Sequence, residues 1–306
     1  MIEINNLDYY FGKSQVLKNI NISLNKPALI GLLGHNGSGK STLLKILGAS
    51  YACQKGEIKL LGVNALDNNN YIKKYLRNKL GIILQETSSD PMLSAYDNLW
   101  YFARLMGINS PQDLITNILE LADLAHKSSE LVKKLSHGMR RRLEIYRSFM
   151  HKPKICLLDE PTEGLDFVSS ARFWGYVKKY IQEEQAIILL ATHRAHELEH
   201  CDEIIMLHDG QKIAQKSPNQ FLASLDYFKL EITLNNSKSK FWHPTQKDIF
   251  YPSSDRPDLL QAQVKQDNLP DLLKNSDLAN PAVQSVRWMR PELNDAYELC
   301  RRNYDC

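Results

Sequence analysis

The 306-residue chain is 43% hydrophobic and 24% charged, an ordinary composition for a globular protein of one or two domains. Its 38 basic and 35 acidic residues leave a net charge of +3, which is too balanced to favour nucleic acid as a partner. The sequence has no apolar run long enough for a membrane span, no signal-peptide pattern at its start, and five cysteines without a pairing pattern. We therefore expect a soluble chain in the cytoplasm.

The first 33 residues predict β-strands. Asn19–Leu24 alternates polar and apolar residues, which is the period of a half-buried strand. Before it, an aromatic run ends at Phe11, directly ahead of Gly12. Two interpretations of Phe11 stay open at this point. The spacing favours an aromatic side chain of the core at a strand end, and the alternative is a ring that stacks on an adenine.

A glycine-rich segment follows at residues 34–42, with the sequence GHNGSGKST. It fits the pattern G-x-x-x-x-G-K-[ST] between a predicted strand and a predicted helix, which distinguishes a phosphate-binding loop from an ordinary glycine-rich turn. Its glycines let backbone N–H groups surround phosphate oxygens, and the helix dipole favours the same negative charge. Lys40 would contact the β- and γ-phosphates, and the Ser41 hydroxyl would bind Mg²⁺. The residues predicted to contact nucleotide here are Gly34, His35, Asn36, Gly37, Ser38, Gly39, Lys40, Ser41 and Thr42.

A helical insertion is predicted between two groups of strands. An apolar strand ends at Gln85, and residues 97–124 then carry helical spacing that breaks at Ser110-Pro111, a helix cap followed by a first-turn proline. Another helix is predicted over residues 140–150. We expect a helical subdomain over about residues 88–152.

Two later strands carry polar side chains at their C-terminal ends. Four apolar residues precede Asp159 and Glu160, and a second apolar run leads to His193. Buried parallel strands present catalytic groups at this edge of a sheet. Beside a phosphate loop, Asp159 can hold Mg²⁺, while Glu160 can orient or deprotonate the attacking water.

The sequence changes in character beyond about residue 222. The predicted elements are strands at residues 228–234, 261–264 and 283–288 and helices near residues 269–273 and 292–299. We predict a small α+β accessory domain over residues 223–306, without a catalytic cluster of its own, after a nucleotide-binding domain over residues 1–222.

Taken in order, these motifs resemble those of the nucleotide-binding subunit of an ABC transporter, over roughly residues 1–220. Residues 34–42 resemble the family's Walker A motif, Gln85 its Q-loop glutamine, residues 135–139 its signature, residues 155–160 its Walker B motif, residues 164–166 its D-loop and His193 its switch histidine. The resemblance implies an α/β fold: the P-loop NTPase core of ABC type, with a mixed sheet and a helical subdomain. It also favours adenine stacking for Phe11.

The resemblance further implies an ATPase that works as a dimer, with two domains enclosing two ATP molecules head to tail. By this match Glu160, His193 and Gln85 are catalytic, and Ser41, Gln85 and Asp159 bind Mg²⁺. Ser136, Gly138 and Asp166 would contact nucleotide across the dimer. The implied partners are ATP, an identical or paired nucleotide-binding subunit and separate transmembrane permease subunits on the cytoplasmic face of the membrane. No nucleic acid is expected.

Two positions depart from the family pattern. His137 stands where the signature usually has glycine, and Glu163 stands where a small residue usually precedes the D-loop. The consequence would be either a site that hydrolyses ATP slowly or a dimer in which one of the two signature segments is weakened. We nevertheless expect an active ATPase, because Gly138 and the hydrolytic residues are present.

The segment at residues 138–144 is similar to the drug- and lipid-export branch, and residues 286–297 resemble the end of ABC-2 exporter subunits. Export is therefore favoured over import. A soluble ABC ATPase acting on ribosomes or DNA is a third alternative. It is disfavoured by the single phosphate loop and the lack of coiled-coil heptads.

Two further patterns have an ordinary interpretation. The basic run Arg140–Arg142 is interpreted as a solvated or dimer-facing helix surface, because no aromatic stacking platform accompanies it. His193, His196, His200 and Cys201 have the chemistry of zinc ligands. Zinc is disfavoured, because His193 already has a nucleotide role and the next two histidines are predicted on a surface helix.

Overall fold

The computed structural model describes residues 1–66, 69–84, 88–235, 250–252, 258–268 and 281–305. The chain divides into two compact units, one of Met1–Pro218 with Tyr304–Cys306 and one of Asn219–Asn303. Gln85 and the helix expected near residues 269–273 lie outside the described residues. The functional boundary after residue 222 stays a prediction.

The first unit contains two sheets. Its strands are β1 (Ile2–Phe11), β2 (Ser14–Leu24), β3 (Ala28–Leu33), β4 (Lys55–Leu60), β5 (Val63–Asn64), β6 (Leu80–Ile83), β7 (Ile155–Asp159), β8 (Ile187–Ala191), β9 (Glu203–His208) and β10 (Gln211–Lys216). Among the described strands, one sheet has the antiparallel order β2-β1-β4-β5.

The larger sheet has the order β10-β9-β3-β8-β7-β6 among the described strands. All its neighbours are parallel except β10, which pairs antiparallel with β9. Every residue of β7 and β8 is buried, as in parallel sheets that are covered on both faces. Because β3, β7, β8 and β9 run in the same direction, the segments that follow them meet at one edge of the sheet.

The helices as far as residue 223 are α1 (Lys40–Leu47), α2 (Asn70–Arg77), α3 (Ala95–Leu105), α4 (Gln112–Leu121), α5 (His137–Phe149), α6 (Phe167–Glu184), α7 (Ala195–Leu198) and α8 (Pro218–Ala223). Helix α1 packs on β7 and β8. One hydrophobic cluster joins the two sheets through Ile4, Ile22, Leu43, Leu157 and Leu189, all of which are buried. In the described part of the chain, no helix is both long and apolar enough to cross a membrane.

Two helix starts differ from those expected. Helix α4 begins at Gln112, so the prediction of Pro111 as the first helical residue is wrong: Pro111 is the N-cap, and Ser110 is left-handed at φ 51°. Helix α5 begins at His137 rather than at residue 140. Its start is set by Ser136, whose hydroxyl oxygen accepts a hydrogen bond from the Met139 N–H at 3.2 Å.

The second unit is an α+β arrangement, as expected. Its strands are β11 (Phe228–Leu234), β12 (Phe250–Pro252), β13 (Leu259–Val264) and β14 (Val283–Met289), followed by a helix at Leu293–Asp305. The described strands form an antiparallel sheet in the order β12-β13-β11-β14. Alternate residues of β11, namely Leu230, Ile232 and Leu234, are buried with Ala262 and Val264 of β13.

Candidate active site

The predicted phosphate loop lies between β3 and α1, where backbone atoms approach each other too closely for side chains. A Cβ at Gly34 would lie 2.4 Å from the Leu207 carbonyl oxygen, and one at Gly39 would lie 2.5 Å from Cδ2 of Leu17. Gly39 is also left-handed, at φ 103°, where it caps α1. The first-turn N–H groups of α1 have no acceptor within the helix and therefore suit an anion.

Lys40 lies across this loop. Its Nζ donates hydrogen bonds to the carbonyl oxygens of Gly34 at 2.7 Å and of His35 at 3.1 Å. Burial lowers the pKa of Lys40, while the charges of Glu160 and Asp159 oppose that shift. The ammonium group is therefore held at the loop by neutral acceptors, which nucleotide phosphates can replace with stronger charged ones.

Asp159 is the last residue of β7 and is only 1% exposed. Burial raises its pKa, while a hydrogen bond from the Ser41 side chain opposes the shift and the neighbouring Glu160 adds to it. Within the described residues, its buried Oδ2 atom has no hydrogen-bond partner. An unsatisfied buried carboxylate oxygen beside a serine hydroxyl has the chemistry of a Mg²⁺ site, so Asp159 and Ser41 fit this ion.

Glu160 and His193 meet at the same edge of the sheet. Oε1 of Glu160 accepts a hydrogen bond from Nδ1 of His193 at 2.8 Å, which fixes the hydrogen on Nδ1 because a carboxylate only accepts. The backbone of Glu160 is left-handed at φ 47°. A residue with a side chain seldom adopts this conformation, and such strain concentrates at functional sites.

A buried acid behind this pair was not expected from the sequence. Glu197 on α7 is 2% exposed, and its carboxylate accepts hydrogen bonds from Thr162 and, at 2.7 Å, from Thr192, the residue before His193. It therefore positions the segment that carries His193. In sequence, Glu197 is related to His193 only by following it by four residues. This signal is too weak to identify the positioning role of Glu197.

Arg141 corrects the interpretation of the basic run as a solvated surface. It is only 5% exposed. Its guanidinium group donates to the carbonyl oxygens of Asp159 and Glu160, both at 2.7 Å, of Pro161 at 3.1 Å and of Leu84 at 3.0 Å. The middle arginine thus joins α5 to the end of β7 and to the residue before Gln85.

The predicted signature segment lies at the surface, around the start of α5. Ser136 is exposed, and its neighbour His137 packs on the chain's own D-loop, because a Cβ at Gly164 would lie 2.4 Å from Cδ2 of the His137 ring. A Cβ at Gly138 would lie 2.8 Å from the Gly164 carbonyl oxygen. The side chain at the unusual position 137 is therefore accommodated within one chain.

Asp166 and Phe11 lie at exposed positions. Asp166 caps α6 by accepting a hydrogen bond from the Ser169 N–H at 2.7 Å, which lowers its pKa. Phe11, at the end of β1, is 48% exposed and makes edge contacts with the rings of Tyr9 and Tyr51. The residue is thus about half exposed, which is compatible with stacking on a base.

The chain was compared with known proteins. Residues 17–163 match the profile of the family described as ABC transporter. An uncharacterized ABC transporter ATP-binding protein, YdbJ of Bacillus subtilis (strain 168), is 29% identical over 97% of this chain and 94% of its own length. A Nod factor export ATP-binding protein of Burkholderia orbicola (strain AU 1054) is 31% identical over 73% of each chain.

A putative hemin import ATP-binding protein of Staphylococcus haemolyticus (strain JCSC1435) is 35% identical over 65% of this chain and 91% of its own. Among solved structures, a dimeric ATP-binding cassette in a post-hydrolysis state, bound to ADP and Pi, matches with a TM-score of 0.65 and 25% identity, over 71% of this chain and 98% of the cassette. The α/β core with a mixed sheet is thus the fold of ABC ATPase cassettes. With its phosphate loop and strand-end acids in the order of that family, this chain belongs to the ATP-binding proteins of ABC transporters.

Proposed function

We propose that this protein energises a membrane exporter by hydrolysing ATP in a head-to-tail dimer with an identical or paired nucleotide-binding subunit. The observation that carries the proposal is the pair Glu160–His193, joined at 2.8 Å beside the phosphate loop. Among the relatives, the Nod factor export protein supports export, and a bacitracin transport protein of Bacillus licheniformis supports a role in transport. The hemin import relative keeps import as the alternative.

Each residue at the sheet edge has a role in hydrolysis under this proposal. The N–H groups of residues 34–42 and Lys40 bind the phosphates, and Glu160 orients or deprotonates the attacking water. His193 holds the Glu160 carboxylate through Nδ1. Ser41 and Asp159, together with Gln85, would hold Mg²⁺, which neutralises charge on the phosphate oxygens when bound.

The exposed signature completes the site of the second subunit. The Ser136 oxygen already accepts the Met139 N–H, and its hydroxyl hydrogen can donate to a phosphate brought by the partner. The N–H groups at the start of α5 add the positive end of a helix dipole. Gly138 and Asp166 would contact nucleotide at the same interface, and Phe11 would stack on the adenine.

We propose a cavity in the first unit as the docking place of a permease segment. Its volume is about 770 Å³, and it lies beside Ser88, close to the Q-loop position. Its lining combines apolar residues such as Leu60, Phe102 and Met106 with the basic residues Lys73, Arg77 and Arg147. A permease helix with an apolar face and an acidic side chain would complement this lining. Because Arg147 lies on α5, a movement of α5 would be transmitted to the membrane subunit.

The hydrolytic assignment is tested with Glu160→Gln, measured as steady-state ATP hydrolysis and as oligomeric state in ATP. Loss of the carboxylate removes the general base, so we expect a fall in the rate of at least about 100-fold with ATP binding and an ATP-trapped dimer retained. The matched control is Glu57→Gln, the same change at an exposed position on β4, which should stay close to wild type. Equal rates in wild type and Glu160→Gln would contradict the assignment.

The permease assignment is tested with Lys73→Glu combined with Arg77→Glu, two charge reversals at the cavity. We expect binding to the co-purifying membrane subunit to weaken at least about 10-fold, because an acidic partner is repelled. Lys178→Glu, on the exposed face of α6, is the control. Purification with ribosomes and without a membrane protein would contradict the transport role, while a solute-binding protein in the complex would indicate import.

A further inference from the structure

We propose that His35, His208 and Asp209 form a binding site for a divalent transition metal such as Zn²⁺, which connects the phosphate loop to the turn between β9 and β10. In the described part of the chain, these residues form a group in which one ligand atom of each lies within 4.8 Å of the others. The proposal does not depend on hydrolysis, on dimerisation or on a membrane partner.

The sheet brings these residues together although His35 lies 173 positions before His208 and 174 positions before Asp209. Strands β3 and β9 are parallel neighbours, with Leu33 opposite Met206. The phosphate loop after β3 and the turn after β9 therefore leave the sheet at the same edge and side by side. His35 enters the group from the loop, and His208 and Asp209 enter it from the turn.

The distances suit a small cation with four ligands. Nε2 of His35 lies 3.1 Å from Oδ1 of Asp209, and Nε2 of His208 lies 3.9 Å from Oδ2 of the same carboxylate. In a tetrahedral zinc site, bonds of about 2.0–2.2 Å place neighbouring ligand atoms roughly 3.3–3.6 Å apart. These two distances bracket that value, and the ligand atoms of the two histidines lie within 4.8 Å of each other, so side-chain rotations are required to bring all three to one ion.

The hydrogen bonding of His35 favours a cation between the two groups. Its Nδ1 atom lies 2.7 Å from the carbonyl oxygen of Asn36, which only accepts, so Nδ1 carries a hydrogen. Nε2 of the same ring makes a hydrogen-bonding contact with Oδ1 of Asp209 at 3.1 Å, and these are the two atoms through which the side chains would bind a metal ion. A bound metal ion would take the place of the hydrogen between these two atoms, and ligation through one ring nitrogen while the other donates to a carbonyl is the usual arrangement at metal sites.

The donor set and the exposure distinguish this site from the Mg²⁺ position at Asp159. Two imidazoles and one carboxylate suit Zn²⁺, whereas Mg²⁺ prefers oxygen ligands. The His208 side chain is mostly buried, which holds one ligand in place, while those of His35 and Asp209 are 40% and 67% exposed and leave a path for the ion. The His35 carbonyl also accepts from Lys40, so the bound ion would restrain the loop that carries this lysine.

The test is a titration of the metal-free, nucleotide-free full chain with Co²⁺, followed by visible absorption and by competition with Zn²⁺. We expect one Co²⁺ per chain with the intense absorption of tetrahedral coordination, displaced by Zn²⁺. His35→Gln and Asp209→Asn, both at exposed positions, should each weaken binding at least about 10-fold. His196→Ala, an exposed histidine on α7 outside the group, should bind as wild type does.

Two results would overturn the proposal. One is binding in His35→Gln and Asp209→Asn that equals wild type, which would place the ion elsewhere, for example near His193, His196 and Cys201. The other is a wild-type chain that binds no Co²⁺, in which case His35 and Asp209 form only the hydrogen bond between their side chains. Circular dichroism of each variant verifies that the comparison is made between folded chains.

Discussion

The end of β7 and the signature segment at the start of α5 differ in how they are held. Asp159 and Glu160 are buried, and Arg141, Thr192 and His193 fix their backbone or side chains. Residues 136–138 lie at or near the surface, held by one cap hydrogen bond and by packing on Gly164. The strand-end acids, to which we assign hydrolysis, are thus organised within one chain, whereas the segment at residues 136–138 presents its polar groups outward, where the proposed dimer would place the partner subunit.

Arg141 connects the two regions. It lies on the same helix as the signature, yet its guanidinium group bonds to the backbone of the strand-end acids. A displacement of α5 would therefore act directly on the backbone of Glu160. Substitutions at three positions test this difference, two in the buried region at the end of β7 and one at the exposed start of α5.

The largest effect is expected from Arg141→Met, which keeps the length of the side chain and removes all its donors. Three buried carbonyl oxygens and the half-buried one of Leu84 lose a donor, and each buried one costs about 1–3 kcal/mol when unsatisfied, so the free energy of unfolding should fall by at least about 3 kcal/mol. Urea denaturation measures this. The control, Arg172→Met on the exposed face of α6, should stay within about 0.5 kcal/mol. Equal losses in both variants would show that the network does not stabilise the strand end.

An intermediate effect is expected from Asp159→Asn. Burial favours the neutral carboxyl and raises the pKa of Asp159, so its contribution to stability is full at low pH and is lost as pH rises through the folded-state pKa. Without metal, the melting temperature of the variant should therefore exceed that of wild type at pH 8, by about 2–4 °C for each kcal/mol that the buried ionised carboxylate costs. This difference in melting temperature should close as pH falls toward about 4.

Mg²⁺ gives the same variant a second measurement. The ion should raise the melting temperature of wild type and leave Asp159→Asn nearly unchanged, because the ionised oxygen is absent from the variant. Differential scanning fluorimetry across pH, with and without Mg²⁺, measures both effects. A variant that melts below wild type at pH 8 without metal would contradict the assignment of Asp159 as a cation ligand kept at a cost in stability.

The smallest effect is expected from His137→Gly, which restores the residue usual in the family. The ring contacts its own chain's Gly164, so its loss should cost at most about 1 kcal/mol and leave the hydrolysis rate within about threefold of wild type. Gly138→Ala is the matched comparison. Its Cβ would lie 2.8 Å from the Gly164 carbonyl oxygen, so it must displace the D-loop and lower the rate further. A large change in rate for His137→Gly would instead place this side chain at the partner's nucleotide.

Much of the fold follows from local pattern. The apolar runs before Asp159 and His193 predict buried parallel strands, and the structure confirms both; the run before Gly34 predicts a strand, which is β3. The alternation over residues 228–234 likewise predicts β11. The starts of α4 and α5 are predicted less accurately. The left-handed backbone at Ser110 and the hydroxyl of Ser136 decide where these helices begin, and neither feature alters the spacing of apolar residues from which the helices are predicted.

The sequence by itself determined the family, the positions along the chain of the strands that end in candidate functional residues, and the glycine-rich loop, because each of these depends on residues adjacent in the chain. Only the tertiary structure decided the environment of individual side chains. The charge of Arg141 suggested solvent, yet four backbone carbonyls surround it. His35 and Asp209 are distant in sequence and meet only because β3 and β9 are parallel neighbours whose ends share one edge of the sheet. Such contacts arise from strand order, which no local pattern of residues encodes.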